Sequence, residues 1–287
     1  MRVKRDVVHP SPMPADESRL AFSTLACPDW SLERVVEAAG QYGYRGVELR
    51  LIDGATIEPG LGDEERRRVR SLLHGAGLPI VAVDTSIRLA GADPDRAVAD
   101  LRWFLDLAAE WEAPLVRVFG GEAPEGQPRD AVLDAMARPL MAMAADAERS
   151  GITIGVETHD AFSSARELAP LLARVESPAV GALWDIVHTS RMGEAPDEVA
   201  DLLDGRIVHV HVKDGRGEPG ARAWELVPLG EGDVPVAGVL RTLAARGYAG
   251  WLTVEWEKKW HPEIAEPEVA LPQHAEAMAR LLSEASA

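Results

Sequence analysis

Cysteine is nearly missing from this 287-residue chain, where Cys27 stands alone. A single thiol excludes an internal disulfide and a thiolate metal cluster, and it fits a reducing cytoplasm. Long apolar runs are missing too: nothing approaches the ~18 residues that a membrane span requires. The start, Met1-Arg2-Val3-Lys4-Arg5, is basic like a signal peptide, but a polar, proline-rich stretch from His9 to Arg19 follows where an apolar segment should stand. Residues 1–18 are therefore expected to be a flexible tail ahead of one domain over 19–287. Positive charge is scarce, since 30 Lys and Arg face 47 Asp and Glu for a net charge of −17. That field repels nucleic acid and anionic membranes, so neither is an expected partner.

What is present is a regular alternation. Short β-rich runs occur at Leu20–Ala26, Gly46–Arg50, Pro79–Thr85, Leu115–Gly120, Ile152–His159, Val180–Ile186, Arg206–Asp214 and Gly250–Glu257. Between them, apolar residues fall at helical spacing, as in Leu32, Val35, Val36 and Ala39 or Val98, Leu101, Leu105 and Ala108. Ser31 is placed to cap the first helix, and Gly43 and Gly247 to stop helices. Runs recur about every 30 residues, the size of one βα repeat. Eight of them select a closed α/β barrel, a single-domain (β/α)₈ TIM barrel, over an open doubly wound sheet. A glycine-rich dinucleotide turn is also lacking after the first run, where Ser23-Thr24-Leu25-Ala26 stands instead.

Within the runs, alternate residues share a face. In Ile207-Val208-His209-Val210-His211-Val212-Lys213 one face reads all valine and the other Ile, His, His, Lys. Thr253, Glu255 and Glu257 share a face opposite Leu252, Val254 and Trp256. Polar residues gather at the C-terminal ends, where barrel enzymes keep their chemistry. Glu157, Asp185, His211 and Glu255 come one from each of four consecutive strands, and strands ~4.8 Å apart let them converge. Packing three carboxylates together without a cation is costly, which points to one divalent metal ion. The oxygen-rich set favours Mn²⁺ or Mg²⁺ and admits Co²⁺ or Zn²⁺.

These residues, with Gly46-Val47-Glu48-Leu49, Val116-Arg117-Val118-Phe119-Gly120-Gly121, Val156-Glu157-Thr158-His159, Trp184-Asp185-Ile186-Val187-His188, His209-Val210-His211-Val212-Lys213-Asp214, Leu229-Gly230-Glu231-Gly232-Asp233 and Val254-Glu255, resemble the xylose-isomerase-like barrels of sugar phosphate isomerases and epimerases. The resemblance runs from strand two to strand eight. It implies a metal on Glu157, Asp185, His211 and Glu255, a substrate contact from His188, and a possible homodimer. Two positions depart from the ketose 3-epimerase branch: Ser163 stands where a glutamate follows the first ligand, and Gly217 where an arginine follows the metal histidine.

The chemistry expected of such a site is proton abstraction next to a carbonyl, through a metal-stabilised enediolate. Glu157 and Glu255 are the expected catalytic pair, each both ligand and base. The substrate is expected to be a small sugar, polyol or keto acid. Lys213 is expected to bind a substrate oxygen or to pair with Glu157 or Asp185. Arg117 is expected to grip a carboxylate or phosphate, or to pair with Glu48. Glu48 and His159 complete the expected substrate-binding set, and His209 lies behind His211. Trp184 and Trp256 are expected to pack outward under helices. The glycine-rich Gly215–Gly232 connection is read as a lid or a disordered loop. Two other fates compete, an inosose-type dehydratase and a non-catalytic sugar-binding barrel. An apurinic-site endonuclease is disfavoured, because strands two to four end without the extra histidines of a three-metal site.

Overall fold

The computed structural model describes residues 19–221 and 224–285, so the expected tail over 1–18 lies outside the described residues. Each β-rich run supplies one barrel strand: β1 (Leu20–Ser23), β2 (Gly46–Leu49), β3 (Ile80–Arg88), β4 (Leu115–Phe119), β5 (Thr153–Glu157), β6 (Val180–Asp185), β7 (Ile207–Val212) and β8 (Leu252–Val254). Each pairs in parallel with the next, and β8 returns to β1 through Leu20↔Leu252, Ala21↔Thr253 and Phe22↔Val254. Closure leaves the barrel itself without an edge strand.

The outer layer is built from α1 (Leu32–Tyr42), α2 (Asp63–Gly75), α3 (Pro94–Glu110), α4 (Arg129–Ser150), α5 (Ala165–Leu172), the short α6 (Ile186–Arg191) and α7 (Pro196–Leu202), α8 (Val236–Ala245) and α9 (Pro267–Ala285). Local signals set their ends. The Ser31 side chain accepts from the Arg34 amide, and Gly43 stops α1 at φ 84°, a conformation that costs glycine little. Outward strand residues Val116, Val118, Ile154, Val156, Val210 and Val212 join the helix residues Leu101, Phe104, Leu140 and Met143 in one core. Each such side chain contributes about 1.5–3 kcal/mol on burial. Trp184 and Trp256 lie in that core, as their outward phase indicated, and their indole N–H groups donate to Thr189 Oγ1 and the Ala265 carbonyl.

Inside the barrel, the N-terminal end is an apolar floor of Ala82, Leu115 and Leu183 with Val208 against it. Val208 corrects the all-valine face read from the sequence. The pairing slips between Ala182↔Ile207 and Leu183↔His209, so Val208 turns to the floor while Ile207 packs with the outer core. The slip depends on Gly181, because a Cβ there would stand 2.4 Å from Val208 Cγ1 and 2.5 Å from the Arg206 carbonyl oxygen. Above the floor the interior is polar to the mouth.

The long connection after β7 is fastened rather than loose at its ends. Asp214–Arg216 pairs antiparallel with Glu225–Val227. The Asp214 carboxylate accepts from the backbone amides of Gly215, Gly230, Gly232 and Val234 at 2.8–3.2 Å. Among the described residues, no helix is long and apolar enough to cross a membrane.

On α9, His274 is fully buried, with Nδ1 donating to the Ala270 carbonyl at 2.6 Å and the ring 5.0 Å from that of Trp256. Burial pulls its pKa down to about 4. The unfolded chain therefore binds this proton more readily below its ordinary ~6.5, and stability falls as pH drops from there towards 4. Between pH 7 and pH 4, wild type is expected to lose about 3 kcal/mol more than His274→Leu. Urea unfolding of both proteins at the two pH values checks this; parallel losses would refute it.

Candidate metal centre

Four strand ends deliver the expected cluster. Glu157 closes β5 and Asp185 closes β6, His211 stands on β7, and Glu255 follows β8. All four are buried, and one ligand atom from each lies within 4.8 Å of the others. The parallel register creates this, since Asp185 pairs with His211 and His211 with Thr253, two residues before Glu255.

The histidine is aimed from behind. Nε2 of His211 lies 3.1 Å from Glu48 Oε2, and Nε2 of His209 lies 2.9 Å from the same oxygen. Burial works against ionising Glu48, but the two histidines outweigh it and hold its carboxyl low. An ionised carboxylate only accepts, so both rings donate from Nε2. Nδ1 of His211 is then free to face the mouth. It has no hydrogen-bond partner, and it stands 3.3 Å from Glu157 Oε1 and 3.3 Å from Glu255 Oε1. Burial also opposes charge on His211, yet Glu255 and Glu48 raise its pKa well above the ordinary value. A proton and a metal ion thus compete for one lone pair.

The donor set fits a divalent ion. Glu157 Oε2, Asp185 Oδ2 and His211 Nδ1 are all buried without a hydrogen bond. Carboxylate oxygens with one imidazole are donors that a divalent cation accepts. A second grouping, Glu48, Asp84, His211 and Glu255, overlaps it. Glu48 Oε1 and both Asp84 oxygens are likewise without a hydrogen bond, but this grouping is the weaker candidate because neither Glu48 nor Asp84 lines the cavity above the cluster.

Arg117 and Lys213 answer the remaining charge. Arg117 lies 3.1 Å from Asp84 Oδ2 and 3.3 Å from Glu157 Oε2. These partners differ from Glu48, the ion-pair partner offered from the sequence as the alternative to a ligand. Lys213 Nζ stands 2.8 Å from Asp185 Oδ2 and also pairs with Glu255 and Glu257. Both cations are 1% exposed and engaged with carboxylates, and Glu48 is engaged with histidine.

A cavity of about 380 Å³ opens above, walled by Arg50, Arg88, Arg117, Phe119, Glu157, His159, Glu255, Glu257 and Trp260 among others. Glu157 and Glu255 are thus shared by the cluster and the cavity. His159 lines the wall with its ring edge-on to that of His188 at 4.6 Å. Burial and the Lys213 charge hold His188 neutral, well below its ordinary pKa. Neither ring nitrogen of His188 has a hydrogen-bond partner. The sequence reading missed Arg50, Arg88, Phe119 and Trp260. Arg50 and Phe119 sit at strand ends where alternation could have flagged them; Arg88 closes β3 beyond the β-rich run that ended at Thr85, and Trp260 lies in a segment with no periodic signal.

Replacing Glu48 with Gln removes the negative charge that holds both Nε2–H groups and puts a donor NH₂ in place of one oxygen, which loosens the hold on the His211 tautomer. Glu48→Gln is expected to weaken Mn²⁺ binding by about ten- to a hundredfold, with the fold retained. Equilibrium dialysis with circular dichroism on the same samples checks this, and unchanged affinity would refute the positioning role.

A family model for xylose isomerase-like TIM barrels matches residues 36–281. Fructoselysine 3-epimerase of Escherichia coli O157:H7 is 24% identical over 266 residues, covering 88% of this chain and 94% of that one. Inosose dehydratase of Clostridium botulinum is 32% identical over 114 residues, 35% of this chain and 38% of the relative. Among solved structures, IolI protein with a zinc atom bound has a TM-score of 0.79 over 92% of this chain and 98% of that one, at 16% identity, a likeness of fold. With a family model spanning the barrel from α1 to α9, the chain belongs to the xylose isomerase-like TIM barrel family.

Proposed function

We propose that this chain is a divalent-metal-dependent sugar or polyol isomerase or epimerase that moves a proton at a carbon next to a carbonyl. The observation that carries the reading is the double membership of Glu157 and Glu255, which belong to the four-ligand cluster and also wall the cavity. A divalent ion, when bound, would draw charge from a carbonyl and its neighbouring hydroxyl and so acidify the C–H bond.

The chain's own groups supply the proton traffic. Burial disfavours the ionised form of Glu157, but Arg117 outweighs it and the pKa falls to about 2. Glu255 is held well below its ordinary value by His211 and Lys213, again against burial. Both are therefore ionised at neutral pH, the form a proton acceptor needs, at some loss of basicity. One takes the proton and the other returns one, to the same or the opposite face. Neutral His188, with His159 beside it, donates a hydrogen bond to a substrate oxygen. Arg117 and Lys213 keep the two carboxylates oriented.

The full-length relationship to an epimerase favours this reading over dehydration, since the dehydratase likeness covers 35% of the chain. A dehydratase remains the second reading, because the same abstraction can expel a hydroxyl one carbon away. Mn²⁺ or Mg²⁺ is the ion the donor set favours. A sugar, polyol or keto acid is the substrate, and the buried lone Cys27 supports a cytoplasmic setting.

The test is proton exchange in D₂O. Mn²⁺-loaded chain incubated with ketoses, inososes and hydroxypyruvate is expected to place deuterium next to the carbonyl of a substrate, seen by NMR. Glu157→Gln and Glu255→Gln should each slow this by about 10²–10⁴-fold. Loss of water from a substrate would select the dehydratase. Absence of both reactions in folded, metal-loaded protein would sink the proposal.

A further inference from the structure

Arg50 is the cavity residue whose bonding is incomplete. It follows β2 directly, and its backbone amide donates to Thr24 Oγ1 at 3.0 Å, which anchors the base of the side chain. The residue is 6% exposed. Nη2 donates to Ser86 Oγ at 2.9 Å, while Nη1 is buried with no partner. Ser86 Oγ is the one side-chain partner of this guanidinium among the described residues, and it passes on to Glu58 Oε1 at 3.2 Å. Arg50 thus reaches an acidic group only through a hydroxyl.

The other charges on the cavity wall are accounted for. Arg117 is divided between Asp84 and Glu157, and Glu255 and Glu257 are paired with Lys213. Arg88 lies 3.7 Å from Asp160 and over the Phe119 ring at 5.5 Å, with 59% of its side chain exposed. Burial and the neighbouring Arg117 pull Arg50 down to about 10, even with Asp84, Glu58 and Glu255 acting the other way. It remains a cation at neutral pH and is short of a counter-charge. A buried guanidinium that reaches no carboxylate directly is costly, and an anionic oxygen on the cavity side supplies hydrogen bond and charge together.

We propose that Arg50 selects substrates bearing an anionic oxygen group, a carboxylate or a phosphate, held at its guanidinium on the cavity wall beside Glu157 and Glu255. The inference rests on the proposed isomerase reading and narrows it to acidic sugars or keto acids and sugar phosphates. If Arg50 served instead as a general counter-charge for the carboxylate cluster, neutral and anionic ligands would bind alike.

Three probes share a hydroxymethyl ketone and differ in the remaining group: hydroxypyruvate, dihydroxyacetone phosphate and neutral dihydroxyacetone. Their dissociation constants are measured by calorimetry on the Mn²⁺-loaded and the metal-free chain, with metal content determined on the same samples. At least one anionic probe is expected to bind wild type about tenfold or more tighter than dihydroxyacetone, in both forms. Arg50→Gln is expected to collapse that ratio and Arg50→Lys to keep part of it. Which anionic probe wins decides between carboxylate and phosphate. Equal binding of all three to wild type, a measurement needing no variant, would overturn the inference, as would a ratio that survives Arg50→Gln. Failure to take up Mn²⁺ would count against the isomerase reading alone, since the metal-free arm still reports on Arg50.

Discussion

Glu48, Asp84, Glu157, Asp185 and Glu255 converge inside one barrel around the His211 imidazole, and the rest of the interior is arranged to answer that charge. Carboxylates taken out of water each cost several kcal/mol (roughly, after relaxation) unless paired and hydrogen-bonded. Arg117 spans Asp84 and Glu157, Lys213 spans Asp185 and Glu255, and two histidines share Glu48. Glu157 Oε2 and Asp185 Oδ2 meet their cations without a hydrogen bond, and His211 Nδ1 has no hydrogen-bond partner, which leaves these atoms available to a metal. A fully satisfied network would rigidify the barrel and bind nothing.

The layering of the interior makes this tolerable. A floor of Ala82, Leu115, Leu183 and Val208 seals the N-terminal end, so the polar groups open only towards the mouth. The register slip that supplies Val208 is permitted by Gly181, and a bulge of this kind re-aims the side chains that follow it. Beyond the slip, His209 and His211 stack on successive inward positions, one behind the other. The depth of the site and the direction of its histidines thus share a cause in the β6–β7 pairing.

The two proposed proton carriers sit in unlike surroundings. Glu157 is held by a guanidinium that also spans Asp84, while Glu255 is held by an ammonium shared with Asp185 and Glu257. Arginine presents a fixed planar fork and lysine a mobile point charge, so Glu157 is the more rigidly oriented of the pair. That asymmetry suits two carboxylates approaching one carbon from different sides.

Much of this was legible in the chain before folding. Eight β-rich runs at repeat spacing specified a closed barrel, and two-residue alternation put Glu157, Asp185, His211 and Glu255 inward at the catalytic end, because side-chain direction in a strand follows local period. The same local logic foretold the outward packing of Trp184 and Trp256 and the place of His209 behind His211. It misassigned Val208, since a register slip belongs to a pair of strands and not to either alone. It offered Glu48 as the protein partner of Arg117 if that residue did not grip a ligand, whereas distance across the barrel gave Arg117 to Asp84 and Glu157. It passed over Arg50, whose significance lies in a missing partner. The period of a strand is written in consecutive residues; which charges meet across a closed barrel, and which are left without one, is decided only when strands remote in sequence are brought within a few ångströms.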